Sequence, residues 1–418
     1  GHQRALLARF PFALTAGQLR IVDELRADLA SNAPTRRLIQ GDVGSGKTML
    51  GVYACLVIAS AGAQSAFLAP TELLAEQHFA GLAPLFERTH LRARLLTGSS
   101  AARERRTLLA ELAAGNVDVV FGTHALLEPD VKFRRLALAV IDEQHRFGVA
   151  QRERLLDKGR DVHGVLMTAT PIPRSLALTV YGDLDLSLLR EKPPGRGAIV
   201  TRRVDALEEL EAPLQAALER GERVYWVVPR IDGESDEEGR ETLGAEQRFE
   251  RLARKRWAAF GVELVHGRLP SHERAARLER FRSGAARLLV ATTVIEVGVD
   301  VPEATAIVIE HAERLGLAQL HQLRGRVGRS SRASECFLLG KPSARERIAL
   351  LESTNDGFVI AEEDLRKRGM GDLIGVRQAG LNLEGFEDGD LELVLLARDL
   401  VHAGPKLAAR YAVRRAPA

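Results

Sequence analysis

Three short runs hold residues whose types and spacing could do chemistry. Gly41-Asp42-Val43-Gly44-Ser45-Gly46-Lys47-Thr48 fits the pattern G-x-x-x-x-G-K-[ST] at every fixed position. Its glycines let the backbone curl so that N–H groups line a concave nest for phosphate oxygens. Lys47 is expected to reach the β- and γ-phosphates of a nucleoside triphosphate, and the Thr48 hydroxyl to ligate Mg²⁺. Asp142-Glu143-Gln144-His145 closes an apolar run, where a phosphate-loop hydrolase needs its carboxylates. Asp142 is expected to hold Mg²⁺ through water, and Glu143 to polarise the attacking water as general base. Gln144 and His145 are expected to face the γ-phosphate and an opposing lobe. In Gln322-Leu323-Arg324-Gly325-Arg326-Val327-Gly328-Arg329, Arg326 and Arg329 are three apart, so a helical turn would put both on one face. Two guanidiniums aimed at one point suit the charge of a triphosphate in its transition state.

Other positions are candidates by context. Gln18, near the start of an amphipathic stretch, has an amide that donates and accepts as the edges of adenine require. Small hydroxyl residues end several apolar runs: Pro70-Thr71 after 66–69, Thr97-Gly98 within 95–99, and Thr123 within 117–124. A row of them along one sheet rim would contact nucleic-acid phosphates, helped by a helix N-terminus capped by Thr71. Thr168-Ala169-Thr170 is expected to link the nucleotide site to a neighbouring lobe by hydrogen bonds. In Ala291-Thr292-Thr293-Val294-Ile295-Glu296-Val297-Gly298-Val299-Asp300, Thr292 and Thr293 are expected to grip a phosphate of the track strand. Glu296, Gly298 and Asp300 are expected to approach the ribose or γ-phosphate region.

The elements that must position these residues follow from apolar runs and breakers. Arg37-Leu38-Ile39-Gln40 reads as a short buried strand and 49–61 as a helix, so the helix N-terminus faces the phosphates. Strands are expected at 66–69, 95–99, 117–124, 136–141 and 164–167, then at 223–228, 262–265, 287–291, 305–309 and 336–339, with helices between. Residues 191–197 read as a linker between two α/β units with parallel sheets, of which only the first has a phosphate loop. The acidic stretch 232–246 reads as a surface loop, and 391–403 as a final amphipathic helix. The expected domains are 1–193, 194–350 and 351–418.

At 418 residues the chain can form two or three cored domains. No apolar run reaches the ~18 residues needed to span a bilayer, and Gly1-His2-Gln3-Arg4 is unlike a signal peptide. A net charge of +3 neither demands nor excludes nucleic acid. Cys55 and Cys336 are far apart and without metal spacing, which excludes a zinc or disulfide framework and fits a cytoplasmic protein.

In order, Gln18, GDVGSGKT, PTELLAEQH, DEQH, TAT, ATTVIEVGVDVP and QLRGRVGR resemble the motif set of the superfamily 2 helicases across nearly the whole chain. DEQHRFGV at 142–149, with the tail segment at 356–380, resembles the RecG family of branch-migrating DNA helicases in particular. The transcription-repair coupling factors are similar through the motor but carry Glu-Gln where this chain has Gln144-His145. The resemblance implies two tandem RecA-like lobes plus a C-terminal helical hairpin bearing Arg377 and Gln378 against DNA. It implies ATP and Mg²⁺, 3′ to 5′ movement, branched or duplex DNA as partner, a single-stranded DNA-binding protein as a further one, and a monomer at the bacterial nucleoid. The family begins with a long region that includes an OB-fold wedge. Here the chain starts shortly before Gln18, so a motor fragment without that wedge is expected. Two rivals stay open: a nucleic-acid-binding scaffold with a dead nucleotide site, and an RNA remodeller of the same superfamily, since phosphate-contacting motifs do not separate DNA from RNA.

Overall fold

The computed structural model describes residues 7–8, 10, 13–170, 184–193, 195, 197–230, 232, 234–235, 241–254, 256–296 and 301–368. The expected C-terminal hairpin with Arg377 and Gln378, the helix at 391–403, and Gly298 and Asp300 lie outside the described residues.

The first lobe is a parallel sheet of β1 (Arg36–Gly41), β2 (Gln64–Leu68), β3 (Ala93–Leu96), β4 (Val119–Gly122), β5 (Leu136–Ile141), β6 (His163–Thr168) and β7 (Asp185–Leu189). Their spatial order is β3-β4-β2-β5-β6-β1-β7. Helices α1 (Ala16–Leu29), α2 (Lys47–Ser60), α3 (Glu72–Thr89), α4 (Ala102–Ala114) and α5 (Val149–Leu156) complete it. Alternate residues feed two apolar layers. Val119, Phe121, Leu138 and Val140 join one; Val120, Ala139 and Ile141 join the other. A parallel sheet covered on both faces needs this continuous apolar composition, because successive side chains point to opposite sides.

The second lobe repeats the scheme. Strands β8 (Ile199–Val204), β9 (Arg223–Val227), β10 (Val262–Val265), β11 (Leu288–Ala291), β12 (Ala304–Ile309) and β13 (Ser334–Leu339) pair in the order β10-β11-β9-β12-β13-β8, all parallel. Helices α6 (Glu211–Glu219), α7 (Ala245–Ala253), α8 (Ser271–Ser283), α9 (Leu317–Arg324), α10 (Arg345–Ser353) and α11 (Gly357–Arg368) accompany it. Ile348, Leu351 and Ile360, from α10 and α11, enter the same apolar cluster as Leu320 and Leu323 of α9. Tyr225 and Val227 face that cluster; Val224 and Trp226 face the opposite one.

Among the described residues, a short antiparallel ribbon of Glu234–Ser235 and Glu241–Thr242 forms inside the stretch read as a surface loop. Two strands of the main sheets also escape the sequence reading. β7 and β8 flank the stretch read as linker, and each forms a sheet edge with a single pairing partner. Their sequences, DLSLL and IVTRRV, lack the apolar run that interior strands carry. The two thiols are separated between the lobes, Cys55 in α2 and Cys336 in β13, and burial pushes each up to about 12. Among the described residues no helix is long and apolar enough to cross a membrane.

Candidate nucleotide cleft between the lobes

Apart from Gln18, which lies in the first turn of α1, the first-lobe candidates sit at the C-terminal edges of parallel strands, the edge where open α/β sheets bind ligands. The phosphate loop leaves β1 and enters α2 at Lys47. Gly44 and Gly46 have φ of 71° and 87°, a left-handed geometry that side chains resist. A Cβ on Gly46 would also lie 2.5 Å from Gln18 Nε2. Lys47 is buried, and its Nζ donates to Gly41 O at 2.6 Å and Asp42 O at 2.9 Å, which holds the ammonium at the loop's mouth. Ser45 is buried, while Thr48 and Val43 line the cleft with Lys47.

Gln18 is tied to this loop. Its Nε2 donates to Ser45 O at 2.9 Å, and its Oε1 accepts from Thr15 N at 2.9 Å in a capping box that starts α1. Each end of the amide keeps one further hydrogen-bonding valence.

Asp142 and Glu143 follow β5. Asp142 is buried; its Oδ2 accepts from His78 Nε2 at 2.8 Å and its Oδ1 from Glu143 N at 3.0 Å. Glu143 has φ 47°, and its Oε2 accepts from Ala169 N at 3.0 Å. Burial and the Asp142 charge raise the Glu143 carboxyl above the usual range, against the opposing pull of Lys47, the Ala169 N–H and Arg326. A carboxylate raised in this way is a stronger base.

Two sequence expectations for this run change. Gln144 is 1% exposed and turned away from the cleft, where its Oε1 accepts from Arg152 Nη1 of α5 at 2.8 Å. The left-handed Glu143 starts a 3₁₀ turn over Gln144–Arg146 that swings the glutamine inward. Thr168 and Thr170 bridge within their own lobe, not to the second: each hydroxyl lies 3.4 Å from His145 Nδ1. The His145 ring is about 29% exposed, and burial with the Arg146 charge lowers it to about 4. The unfolded chain takes up a proton near 6.5, the folded chain only near 4. Protonation across that interval favours the unfolded chain, so stability falls as pH drops from 6.5 toward 4. His145→Gln should flatten that fall, read from urea midpoints across the interval.

From the second lobe come Arg326 and Arg329. They lie beyond α9, whose C-cap is Gly325, rather than on a helical face. Arg326 Nε donates to Gln322 O at 3.5 Å and Arg329 Nε to Gly325 O at 3.3 Å, and Gln322 itself is buried. Both arginines line the cleft that also holds Lys47, Thr48, Asp142 and Glu143, of about 1150 Å³.

The second lobe copies the carboxylate turn. Ile309-Glu310-His311-Ala312-Glu313-Arg314-Leu315-Gly316 follows β12 as Ile141-Asp142-Glu143-Gln144-His145-Arg146-Phe147-Gly148 follows β5. His311 takes φ 53° where Glu143 takes 47°, and a 3₁₀ turn and a glycine cap follow in both. At the Asp142 position, Glu310 is instead closed off by Arg248 Nη2 at 2.7 Å and by Trp226 Nε1. One turn thus presents carboxylates, and its copy feeds the helix that leads to the arginines.

The expected hydroxyl rim is only partly a surface. Pro70 and Thr71, Thr97 and Gly98, and Thr123 do follow the neighbouring strands β2, β3 and β4. Thr97 is buried with its hydroxyl on Ser99 and Ser100, Thr123 is 1% exposed, and Thr292 is buried after β11. Gly98, Ser99 and His124 are exposed there, and Thr293 is half-buried. Thr71 Oγ1 caps α3 by accepting from Leu74 N at 3.3 Å. Thr71→Ala should lower unfolding stability by about 1 kcal/mol, measured by urea titration.

His78, Lys192 and His321 escaped the sequence reading. His78 meets Asp142 from a helix 64 positions away, and His321 and Lys192 both meet Asp42. Local spacing carries no signal for such cross-element contacts.

Residues 15–179 match the DEAD/DEAH box helicase family model and residues 186–331 the helicase conserved C-terminal domain. The chain is 47% identical over 397 residues to the ATP-dependent DNA helicase RecG of Synechocystis sp., covering 93% of this chain and 47% of that protein. It is 46% identical over 389 residues to RecG of Escherichia coli K12, covering 90% and 55%. A solved structure of RecG bound to a three-way DNA junction superposes with a TM-score of 0.77 at 40% identity, covering 95% of this chain and 52% of the other. Mss116p bound to single-stranded RNA and AMP-PNP shares the fold, with a TM-score of 0.64 at 16% identity, covering 99% and 85%. The chain spans about half the length of the curated relatives it matches.

Proposed function

This chain belongs to the RecG family of helicases over the half of them that it spans, and from that premise we propose that it is an ATP-driven motor on branched or duplex DNA. Its work would be branch migration and fork regression, the remodelling of stalled forks and Holliday junctions. One observation carries the reading: Lys47, Asp142 and Glu143 of one lobe and Arg326 and Arg329 of the other line a single cleft.

Lys47 and the loop N–H groups bind the phosphates, and Gln18 reads adenine with the valences left on its amide. Glu143 takes the proton of the attacking water, while Arg326 and Arg329 meet the charge that grows on the γ-phosphate oxygens. The Thr48 hydroxyl and Asp142 carboxylate line the same cleft as an all-oxygen donor pair, the chemistry Mg²⁺ prefers, and they would hold that ion. Bound there, Mg²⁺ would neutralise charge on the β- and γ-phosphates. Because the phosphate loop and the arginines belong to different lobes, completing the site requires the lobes to close, and product release lets them part. Gly98, Thr293 and the N-terminus of α3 are the groups we assign to the DNA backbone, with Arg377 and Gln378 of the tail segment. The domain divisions near 193 and 350, a single-stranded DNA-binding protein as partner, a monomeric motor and a place at the bacterial nucleoid belong to the same reading.

Phosphate release from ATP should rise at least tenfold with forked or duplex DNA and less with RNA of the same length. Equal stimulation by RNA would favour the RNA remodeller, and no hydrolysis under any condition would leave the scaffold reading.

A further inference from the structure

The phosphate loop receives a side chain from the opposite lobe. His321 of α9 places Nε2 2.6 Å from Asp42 Oδ1, and both side chains are only 5% exposed. The same Oδ1 accepts from Val43 N at 2.6 Å, so this carboxylate oxygen also fixes the peptide at the start of the loop. Lys192 Nζ pairs with the other oxygen at 2.6 Å. Although burial pushes the Asp42 carboxyl up, the His321 hydrogen bond and the Lys192 charge together hold it well below the usual carboxylate range.

His321 is oriented by its own lobe. Arg324 Nη2 lies 2.8 Å from His321 Nδ1, and a guanidinium only donates, so Nδ1 accepts and Nε2 carries the hydrogen. Arg324 is in turn held by Thr201 Oγ1 at 3.2 Å, Leu351 O at 2.6 Å and Thr354 O at 2.9 Å, all in the second lobe. The imidazole therefore has its tautomer and direction set by its own lobe, and offers one N–H to the other. Next to it the Gly325 backbone packs closely on the Val43 side chain: a Cβ on Gly325 would lie 2.8 Å from Val43 Cβ.

We propose that His321 is a positioning residue for the phosphate loop, supplied by the second lobe, which holds Asp42 and through it Val43 in the nucleotide-binding shape when the lobes meet. The assignment rests on the reading of this cleft as an ATP site. The loop is then a composite, with backbone from one lobe and a brace from the other, and nucleotide affinity depends on lobe contact before any arginine acts.

Two amides separate the halves of the imidazole. In His321→Asn the short side chain reaches the Nδ1 position and keeps a partner for Arg324 but loses Asp42. In His321→Gln the amide nitrogen reaches the Nε2 position and restores the donor to Asp42. On the 418-residue chain, His321→Asn should weaken binding of a fluorescent ADP analogue about tenfold and raise KM for ATP by a similar factor, with kcat within threefold and an unchanged melting temperature. His321→Gln should recover most of that affinity, and Asp42→Ala with His321→Asn should bind no worse than Asp42→Ala alone. ADP affinity within twofold of the unaltered chain in His321→Asn, or additive losses in the double variant, would overturn the assignment. A His321→Asn variant that melts early with no recovery in His321→Gln would also overturn it, leaving only packing. Should the unaltered chain bind and hydrolyse no ATP, the function reading fails instead, so the two failures are distinct.

Discussion

Lys47→Ala is expected to abolish ATP turnover while leaving DNA binding within a few-fold of normal. The ammonium is buried at the mouth of the loop, where Gly41 O and Asp42 O already fix it in place. Removing one partner of a buried charged contact costs about 3–5 kcal/mol, or roughly 10²–10⁴ in rate if the loss falls on the transition state. Alanine also removes a positive charge that bears on Glu143. The general base would then titrate higher still, which cannot make up for lost phosphate binding. Gly98 and Thr293, assigned to DNA, follow β3 and β11 rather than β1, so Lys47→Ala removes no assigned DNA contact. Steady-state phosphate release and DNA anisotropy on the same preparation check both halves. A variant that hydrolyses at a tenth of the normal rate or faster would remove Lys47 from the mechanism.

Arg326→Ala should keep ATP binding and lose hydrolysis by about 10³–10⁵, the range of an arginine that meets transition-state charge. Arg326 is 7% exposed, lines the cleft with Glu143 and acts on its carboxyl from the opposite lobe. Arg329 is half-buried in the same wall, so Arg329→Ala should fall in the same direction by less. Arg326→Lys is also expected to fail, because a point charge cannot reproduce the planar fork. Single-turnover hydrolysis with a separate nucleotide-binding titration separates loss of chemistry from loss of affinity. Normal single-turnover rates in Arg326→Ala would end the finger assignment.

How much of this was legible beforehand divides along physical lines. The phosphate loop was readable because its chemistry demands glycines and a lysine at fixed spacing. Interior strands were readable because burial on both faces leaves an unbroken apolar run; β5 appears at 136–141 as expected. The edge strands β7 and β8 carry no such run, so nothing in the sequence marks them on either side of the 191–197 linker. Arg326 and Arg329 were assigned a helical face, yet α9 stops at Gly325 and a turn delivers them. Gln144 was misdirected because a glutamate rarely adopts φ near 47°, and composition gives no warning of it. His78 and His321 could not be found at all, since their partners are 64 and 279 residues away.

The placement of the two thiols turns the chain into its own reporter. Each half contains one sulfhydryl, sealed inside a helix or strand, that a thiol-specific dye cannot reach until that half opens. Quantifying which cysteine reacts first during gentle warming would tell which half yields earlier. Dyes for distance measurements can be attached at newly introduced surface cysteines without first deleting the native pair.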